Sequence, residues 1–297
     1  FRKFFRKKNN NHTSIVVFAR KEKFKNLLVY DAINKILNKN KILAPSLYQE
    51  RYNQNYIEIE DFGNETIFKI LNKKKNKFLY FKKVIKILNK IQSIKNRSIK
   101  NFKNKKYKIP EYTTDIIVKE ASLFCEWYVK SSLPKNKRFK FIKKFKKIIR
   151  KLAFALKLKN DVFVHRDFHV SNLMLVNNQI GIIDSQDALI GNKAYDLASL
   201  IDDVRFNTSK SMKDKIYNCF LKEQINLNKL KFKNDFDILS VLRNLKIIGI
   251  FTRLAVRDQK KNYLKLIPNA QKLINIKINE NKIFEDLKEL LDQCFKR

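Results

Sequence analysis

Apolar residues along this chain change their period twice. Up to about Phe62 they alternate over short runs, TSIVVFA at Thr13–Ala19 and YIEIED at Tyr56–Asp61, the two-residue period of half-buried strands. Between these runs, Phe24 to Leu37 carries apolar residues at helical spacing, so this first part predicts strands around one helix. Gly63 breaks the pattern. Asn64 then offers a helix N-cap, and Phe78, Phe81, Val84, Ile85, Leu88 and Ile91 recur three and four positions apart. Lys100 to Lys108 is basic and irregular, stops at Pro110 and reads as a solvated loop. Thr113-Thr114-Asp115 supplies cap chemistry for a helix through Trp127 and Tyr128, and a lysine-rich helix follows from about Asn136 to Leu158. Three short β-prone runs, VFVH, LMLV and GIIDS, then interrupt the helical rhythm, which resumes at Lys193–Val204 and continues in blocks to Cys294. The pattern predicts an α+β chain with a small strand-rich N-lobe over residues 1–62, a hinge near Asp61-Phe62-Gly63, and a larger, mainly helical C-lobe over residues 63–297. A cleft between such lobes is a common place for a ligand.

Composition narrows the function. With 44% hydrophobic residues over 297 positions, the chain can bury real cores. Its net charge of +38 favours anionic partners at long range, yet the lysines are spread throughout rather than gathered in an arm or patch. Abundant Asn and Ile with only 4 Gly and 4 Pro suit a biased coding composition, so neither a specific nucleic-acid partner nor a membrane partner is expected. Cys125, Cys219 and Cys294 are odd in number and widely spaced, which argues against a disulfide framework or a zinc site and for a cytoplasmic location. No apolar run is long enough to span a bilayer, and Ile15 to Ala19 is too short for a signal-peptide core. The first residue is not Met, so the expectation is a chain that begins inside a longer polypeptide.

Candidate chemistry is concentrated between His165 and Asp187. HRDFHVSN fits H-R-D-x-x-x-x-N, the catalytic-loop pattern of protein kinases and their relatives, and Asp184 follows Asn172 by 12 residues. Phosphoryl transfer from ATP needs a carboxylate to orient the attacking hydroxyl and accept its proton, a task that suits Asp167. It also needs hard oxygen ligands for Mg2+, a task that suits Asn172 and Asp184. LMLV and GIIDS can form a hairpin around Asn177-Asn178-Gln179, which would return Asp184 to the loop that carries Asn172. The expected site is therefore a catalytic loop and metal-binding hairpin over residues 165–187. His165 reads as a buried structural imidazole bonded to loop backbone. A metal site built on His165 and His169 fits less well, since the loop lacks further His or Cys ligands. The alternative reading is a loop of satisfied polar groups in an inactive kinase-like scaffold.

HRDFHVSNLMLV, GIIDSQDALIGNKAYDLASLIDDVR and RNLKIIGIFTRLAVRDQKKNYL together resemble the aminoglycoside-phosphotransferase-like family. Within it they are most similar to the bacterial anomeric (1-)kinases of N-acetylmuramate and N-acetylglucosamine in cell-wall recycling. FRKFFR, YIEIEDFG and LFCEWYV look like that group's N-terminal strand, hinge and mid-chain helix, so the likeness covers most of the chain. It implies a protein-kinase-like two-lobed fold with Asp167 as catalytic base, Asn172 and Asp184 as Mg2+ ligands, and Glu60 and Asp61 beside adenine. Asp196 would be a structural carboxylate bracing the catalytic loop. Asp187 is a candidate for sugar hydroxyls or for a structural ion pair. Arg205 and Glu126 are weaker substrate candidates, each equally readable as a solvated or paired side chain. Ser185-Gln186 replaces the Phe-Gly of protein kinases, and no V-A-I-K strand is present, since TSIVVFA runs into Arg20, Lys21 and Lys23. The group's phosphate-covering loop precedes its counterpart of FRKFFR, so the N-lobe is expected to lack that first loop or strand here.

The expected function is ATP- and Mg2+-dependent phosphorylation of the anomeric hydroxyl of an N-acetylated amino sugar. A kinase for another small hydroxyl compound, aminoglycoside-like or choline-like, is the nearest alternative; a non-catalytic kinase-like polyanion binder is the more distant one. Oligomeric state is not legible.

Overall fold

The computed structural model describes residues 2–9, 12–19 and 26–295. The first part of the chain forms β1 (Arg2–Asn9), β2 (His12–Ala19), α1 (Asn26–Lys39), β3 (Leu47–Arg51) and β4 (Tyr56–Glu60). Then come α2 (Ile67–Lys73), α3 (Lys77–Gln92), β5 (Ser98–Lys100) and β6 (Lys106–Lys108). Next are α4 (Thr114–Ala121), a π-helical turn at Phe124–Val129, α5 (Lys130–Ser132) and α6 (Lys135–Phe154). The motif region holds β7 (Asn160–Val164), β8 (Leu173–Val176), β9 (Gln179–Ile182) and β10 (Leu189–Asn192). It is followed by α7 (Ala194–Ile201), α8 (Lys210–Lys222), α9 (Lys229–Arg257), α10 (Ile267–Glu280) and α11 (Glu285–Cys294). This is an α+β protein-kinase-like fold, with an N-terminal antiparallel sheet and a mainly helical C-terminal region. Two compact units are built from it, each discontinuous in sequence.

The first unit comprises Phe1–Glu111, Asp161–Gly191 and Lys210–Gln224. Its antiparallel sheet has the order β1-β2-β4-β3. The register pairs Arg2 with Ala19, Phe4 with Val17, and Arg6 with Ile15, while Ile15 pairs with Ile59 and Val17 with Ile57. Directly opposed residues share a face, so one face gathers Val17, Ala19, Ile57 and Ile59, which pack with Leu27 and Tyr30 of α1. Each fully buried Ile or Leu contributes about 1.5–3 kcal/mol relative to exposure. On the opposite face the Ser14 hydroxyl donates to the Glu58 carboxylate at 2.6 Å, and Lys7 meets the same carboxylate at 3.1 Å.

The second unit comprises Tyr112–Asn160, Asn192–Ser209 and Ile225–Arg297, and α9 runs through its core. A Cβ added to Gly249 on α9 would lie 2.3 Å from the Leu123 carbonyl carbon and 2.6 Å from the Phe124 nitrogen, so the backbones touch where the π-helical turn begins. Asp235, fully buried on the same helix, accepts from the Lys157 and Leu158 amides at 2.8 Å each and from the Asn192 side chain at 2.7 Å. These bonds fix the chain end that follows α6.

Several local expectations are corrected. Asn64 does not cap a helix: its side-chain oxygen accepts from Arg6, and α2 is capped by Thr66, whose hydroxyl accepts the Lys69 amide at 3.1 Å. Lys100 to Lys108 is not an irregular loop, because β5 and β6 form a hairpin around Asn101, whose side-chain oxygen Oδ1 accepts the Lys103 and Lys105 amides at 3.0 and 3.2 Å. Within the described residues the first helix covers Asn26–Lys39, and Phe24, where the sequence reading starts it, lies outside them. The lysine-rich helix ends at Phe154, where Ala155 takes over the last carbonyls, and the helix expected at Lys193–Val204 spans Ala194–Ile201. Among the described residues, no helix is long and apolar enough to cross a membrane, and all three cysteines are free.

Candidate active site

The catalytic-loop residues are held mainly by backbone. Asn172 donates its side-chain amide to the Asp167 carbonyl at 3.0 Å, and its own carbonyl accepts the Ile183 amide at 3.1 Å. His165 is fully buried, with Nε2 3.1 Å from the Ile183 carbonyl oxygen, so an N–H on that nitrogen donates to the residue before Asp184. These bonds bring the two ends of the motif together. The connection is the β8–β9 hairpin, in which Val176 pairs with Gln179 across a two-residue turn. Asn177 and Asn178 have φ of 47° and 61°, the double positive φ of the turn that best matches strand twist. Asp184 also has a positive φ, 62°, a conformation that Asp tolerates better than bulkier residues.

Asn172 and Asp184 line one cavity of about 370 Å3, with Phe4 and Ile15 from the sheet, Met174 from β8, Glu60 from the end of β4, and Asp61 and Phe62 from the segment after it. Apolar walls with a few polar groups suit a flat heteroaromatic ring carrying a charged tail. The side chains of Glu60 and Asp61 are already engaged. Glu60 accepts the Ser46 amide at 3.2 Å. Asp61 receives Arg6 in a two-pronged contact, at 2.6 Å from Nε and 2.9 Å from Nη2, together with the Gly63 amide at 2.9 Å. Burial alone would raise the Asp61 pKa, but the hydrogen bonds from Arg6, Gly63 and Thr13 outweigh it and hold the carboxyl below its usual value. Arg6 also donates to the Gly63 carbonyl at 3.0 Å, and Gly63 has φ 77°, so the chain turns there at a residue without a Cβ. What this segment presents to a ring is therefore backbone.

A Mg2+ ion with its shell fits the donor set by chemistry. Such an ion takes one or two carboxylates plus phosphate oxygens and water, and Asn172, whose amide nitrogen is engaged, keeps its side-chain oxygen for a metal. Among the described residues there is no group of three or more His, Cys, Asp or Glu that would hold a metal by protein ligands alone. His169 donates its backbone amide to the Asp167 carbonyl at 2.9 Å.

The remaining sequence-derived candidates fall in different places. Asp187 lies in the first unit with an exposed side chain; its carbonyl accepts Arg166 at 3.0 Å, and its carboxylate accepts Gln186 at 3.1 Å. In the second unit, the Arg205 guanidinium lies 3.3 Å from the Asp203 carboxylate and stacks 5.3 Å from the Phe251 ring centre. Glu126 is exposed on the π-helical turn, and Asp196 is fully buried in the first turn of α7. Arg20, Lys21 and Lys23 lie outside the described residues.

A family model described as "Phosphotransferase enzyme family" matches residues 1–216. The chain belongs to that family. This phosphotransferase is similar to the N-acetylmuramate/N-acetylglucosamine kinase of Neisseria meningitidis, with 26% identity over 90% of this chain and 80% of the relative. Among solved structures it is similar to a choline kinase from Streptococcus pneumoniae, at TM-score 0.62 and 16% identity over 92% and 89% of the two chains. It is also similar to spectinomycin phosphotransferase in complex with AMP, at TM-score 0.60 and 14% identity over 90% of each. The family match thus makes the chain a phosphotransferase, and the solved structures share its fold.

Sequence reasoning missed the parts of the phosphotransferase site supplied from a distance. Arg6 reaches Asp61 across 55 positions, and Asn34 of α1 accepts a 2.6 Å hydrogen bond from the Ser185 hydroxyl across 151. One signal was present. Arg2, Phe4 and Arg6 alternate at the period of a strand, which places both arginines on one face.

Proposed function

We propose that this phosphotransferase moves the γ-phosphoryl group of ATP, with Mg2+, onto the anomeric hydroxyl of N-acetylmuramate or N-acetylglucosamine. The carrying observation is the joining of Asn172 and Asp184 in one cavity, with Asp167 tied to the same loop. The sugar assignment rests on the similarity to a kinase of that name over most of both chains, together with the motif resemblance. Residues 1–62 would act as the nucleotide-holding N-lobe and residues 63–297 as the lobe that carries the chemistry.

In this reading Asp167 orients the sugar hydroxyl and takes its proton as the new O–P bond forms. The bond from the γ-phosphorus to the bridging oxygen breaks, and ADP leaves with that electron pair. Mg2+, when bound, neutralises the phosphate oxygens, with Asn172 and Asp184 as its protein ligands. Because an anomeric hydroxyl is more acidic than an ordinary sugar alcohol, one carboxylate suffices as acceptor. Asp187 is the first candidate for holding the sugar's other hydroxyls, with Glu126 and Arg205 as weaker ones. Adenine lies against the backbone of Glu60 and Asp61, while His165 and Asp196 act as structural supports.

Phosphorus NMR of the product tests the reading. A sugar 1-phosphate formed from both N-acetylated sugars is the expected result. A 6-phosphate, or turnover only with choline or an aminoglycoside, would reassign the acceptor and keep the phosphotransferase chemistry.

A further inference from the structure

The lysine that protein kinases place on the strand before their first helix, where it meets the ATP phosphates, has no counterpart on β2. That strand reads HTSIVVFA, without Lys or Arg. Ile15 lines the cavity, and the next residue on the same face, Val17, is fully buried in the apolar core beneath the sheet. The same face does carry cations, on the neighbouring strand. The register sets Arg2 beside Ala19 and Arg6 beside Ile15, so both arginines share the face of the cavity-lining Phe4.

The two arginines differ in how far they are committed. Arg6 is heavily committed: it contacts Asp61 at 2.6 and 2.9 Å, the Gly63 carbonyl at 3.0 Å and the Asn64 side chain at 2.7 Å. Arg2 is not. Its closest anionic contact is the Asp184 carboxylate, 3.6 Å from Nη2, which is beyond a good hydrogen bond. Its Nη1 is buried and has no hydrogen-bond partner among the described residues, although the side chain is only 20% exposed. An unsatisfied guanidinium N–H is costly to bury, and a phosphate oxygen is the acceptor that a planar fork of donors fits best.

Resting on the ATP-dependent reading above, we propose that Arg2 supplies the cation that holds the ATP phosphates, delivered from β1 instead of β2. In the nucleotide-free protein Arg2 neutralises Asp184 loosely. With ATP and the metal bound, Asp184 would hold the metal and the Arg2 guanidinium would meet the phosphates, so that each charge would keep a partner.

Calorimetric binding of adenosine, AMP, ADP and Mg-ATP to the protein and to Arg2→Gln and Arg2→Lys tests this without turnover. The wild type should bind more tightly as phosphates are added. Arg2→Gln should weaken Mg-ATP binding by about tenfold to a hundredfold and leave adenosine unchanged, as loss of one charge-assisted contact predicts. Arg2→Lys should recover part of the loss, which also shows that the strand still folds. Equal weakening for all four ligands, or tighter Mg-ATP binding in Arg2→Gln, would mean that Arg2 only pairs with Asp184, and would overturn the proposal. So would a phosphate-dependent loss that follows Lys21→Gln or Lys23→Gln while Arg2→Gln behaves as wild type. Failure of the wild type to bind any nucleotide would instead bring down the ATP reading itself.

Discussion

Asp167 and Asp184 have distinct tasks in the proposed reaction, one accepting a proton and the other offering negative charge to a metal. Their amide variants separate these tasks. Asp167→Asn should lower kcat by about two to four orders of magnitude with little change in the Mg2+ requirement, since a positioned general base contributes on that scale. Asp184→Asn should lower turnover comparably and also shift the Mg2+ titration to higher concentration; near-normal turnover at low Mg2+ would remove it from the metal site. The motif was legible in the sequence because its spacing is local: four residues separate Asp167 from Asn172, and one tight hairpin returns Asp184 to the loop that carries Asn172. Asp61 shows where local reading stops. The sequence reading set it at a hinge beside a nucleotide, whereas its carboxylate serves Arg6 and Gly63, and no pattern in YIEIEDFG announces a partner 55 positions earlier.

At the scale of elements, long helices and strands with an apolar run, even runs as short as β8 and β9, were readable, whereas elements without such a run were not. β5 and β6 are three residues each, too short for alternation to show among lysines, and they depend on the Asn101 side chain to close their turn. α9 was readable as apolar and helical, but not its closest approach to another backbone. That approach gives the clearest element-level expectation. Gly249→Ala should force α9 away from the turn at Leu123, lowering stability by about 1–3 kcal/mol, the usual range for overpacking a tight interior. Thermal or denaturant unfolding of the variant measures it. An unchanged midpoint would show that the helix slides aside without cost.

Over the whole molecule, charge is the outstanding property, and it gives no guide to fold: +38 over 297 residues leaves the sheet, the hairpin and the helices to be set by apolar pattern. Packing into two units, each made of three separate stretches, was not visible either, because contiguous periodicity carries no record of which stretches return to each other. Charge does bear on substrate capture. N-acetylmuramate carries a lactyl carboxylate and N-acetylglucosamine does not, so the field should speed only the first. With Mg-ATP saturating, kcat/KM for N-acetylmuramate should fall severalfold as salt rises through about 0.1 M, where the screening length is near 10 Å. The value for N-acetylglucosamine should stay nearly flat. Parallel curves for the two sugars would show that local side chains, and not the global field, govern encounter.

Ser185 bears on inhibitor design. Where protein kinases carry a phenylalanine after the metal-binding aspartate, this chain has a hydroxyl, fully buried and donating to Asn34 of α1 at 2.6 Å. No aromatic ring stands at that position to be displaced, and hence none to leave behind a hydrophobic pocket. Compounds whose potency comes from occupying the space vacated by such a ring would find only a small, polar, already satisfied contact. Selective ligands would instead have to draw their affinity from the cavity between Ile15 and Met174.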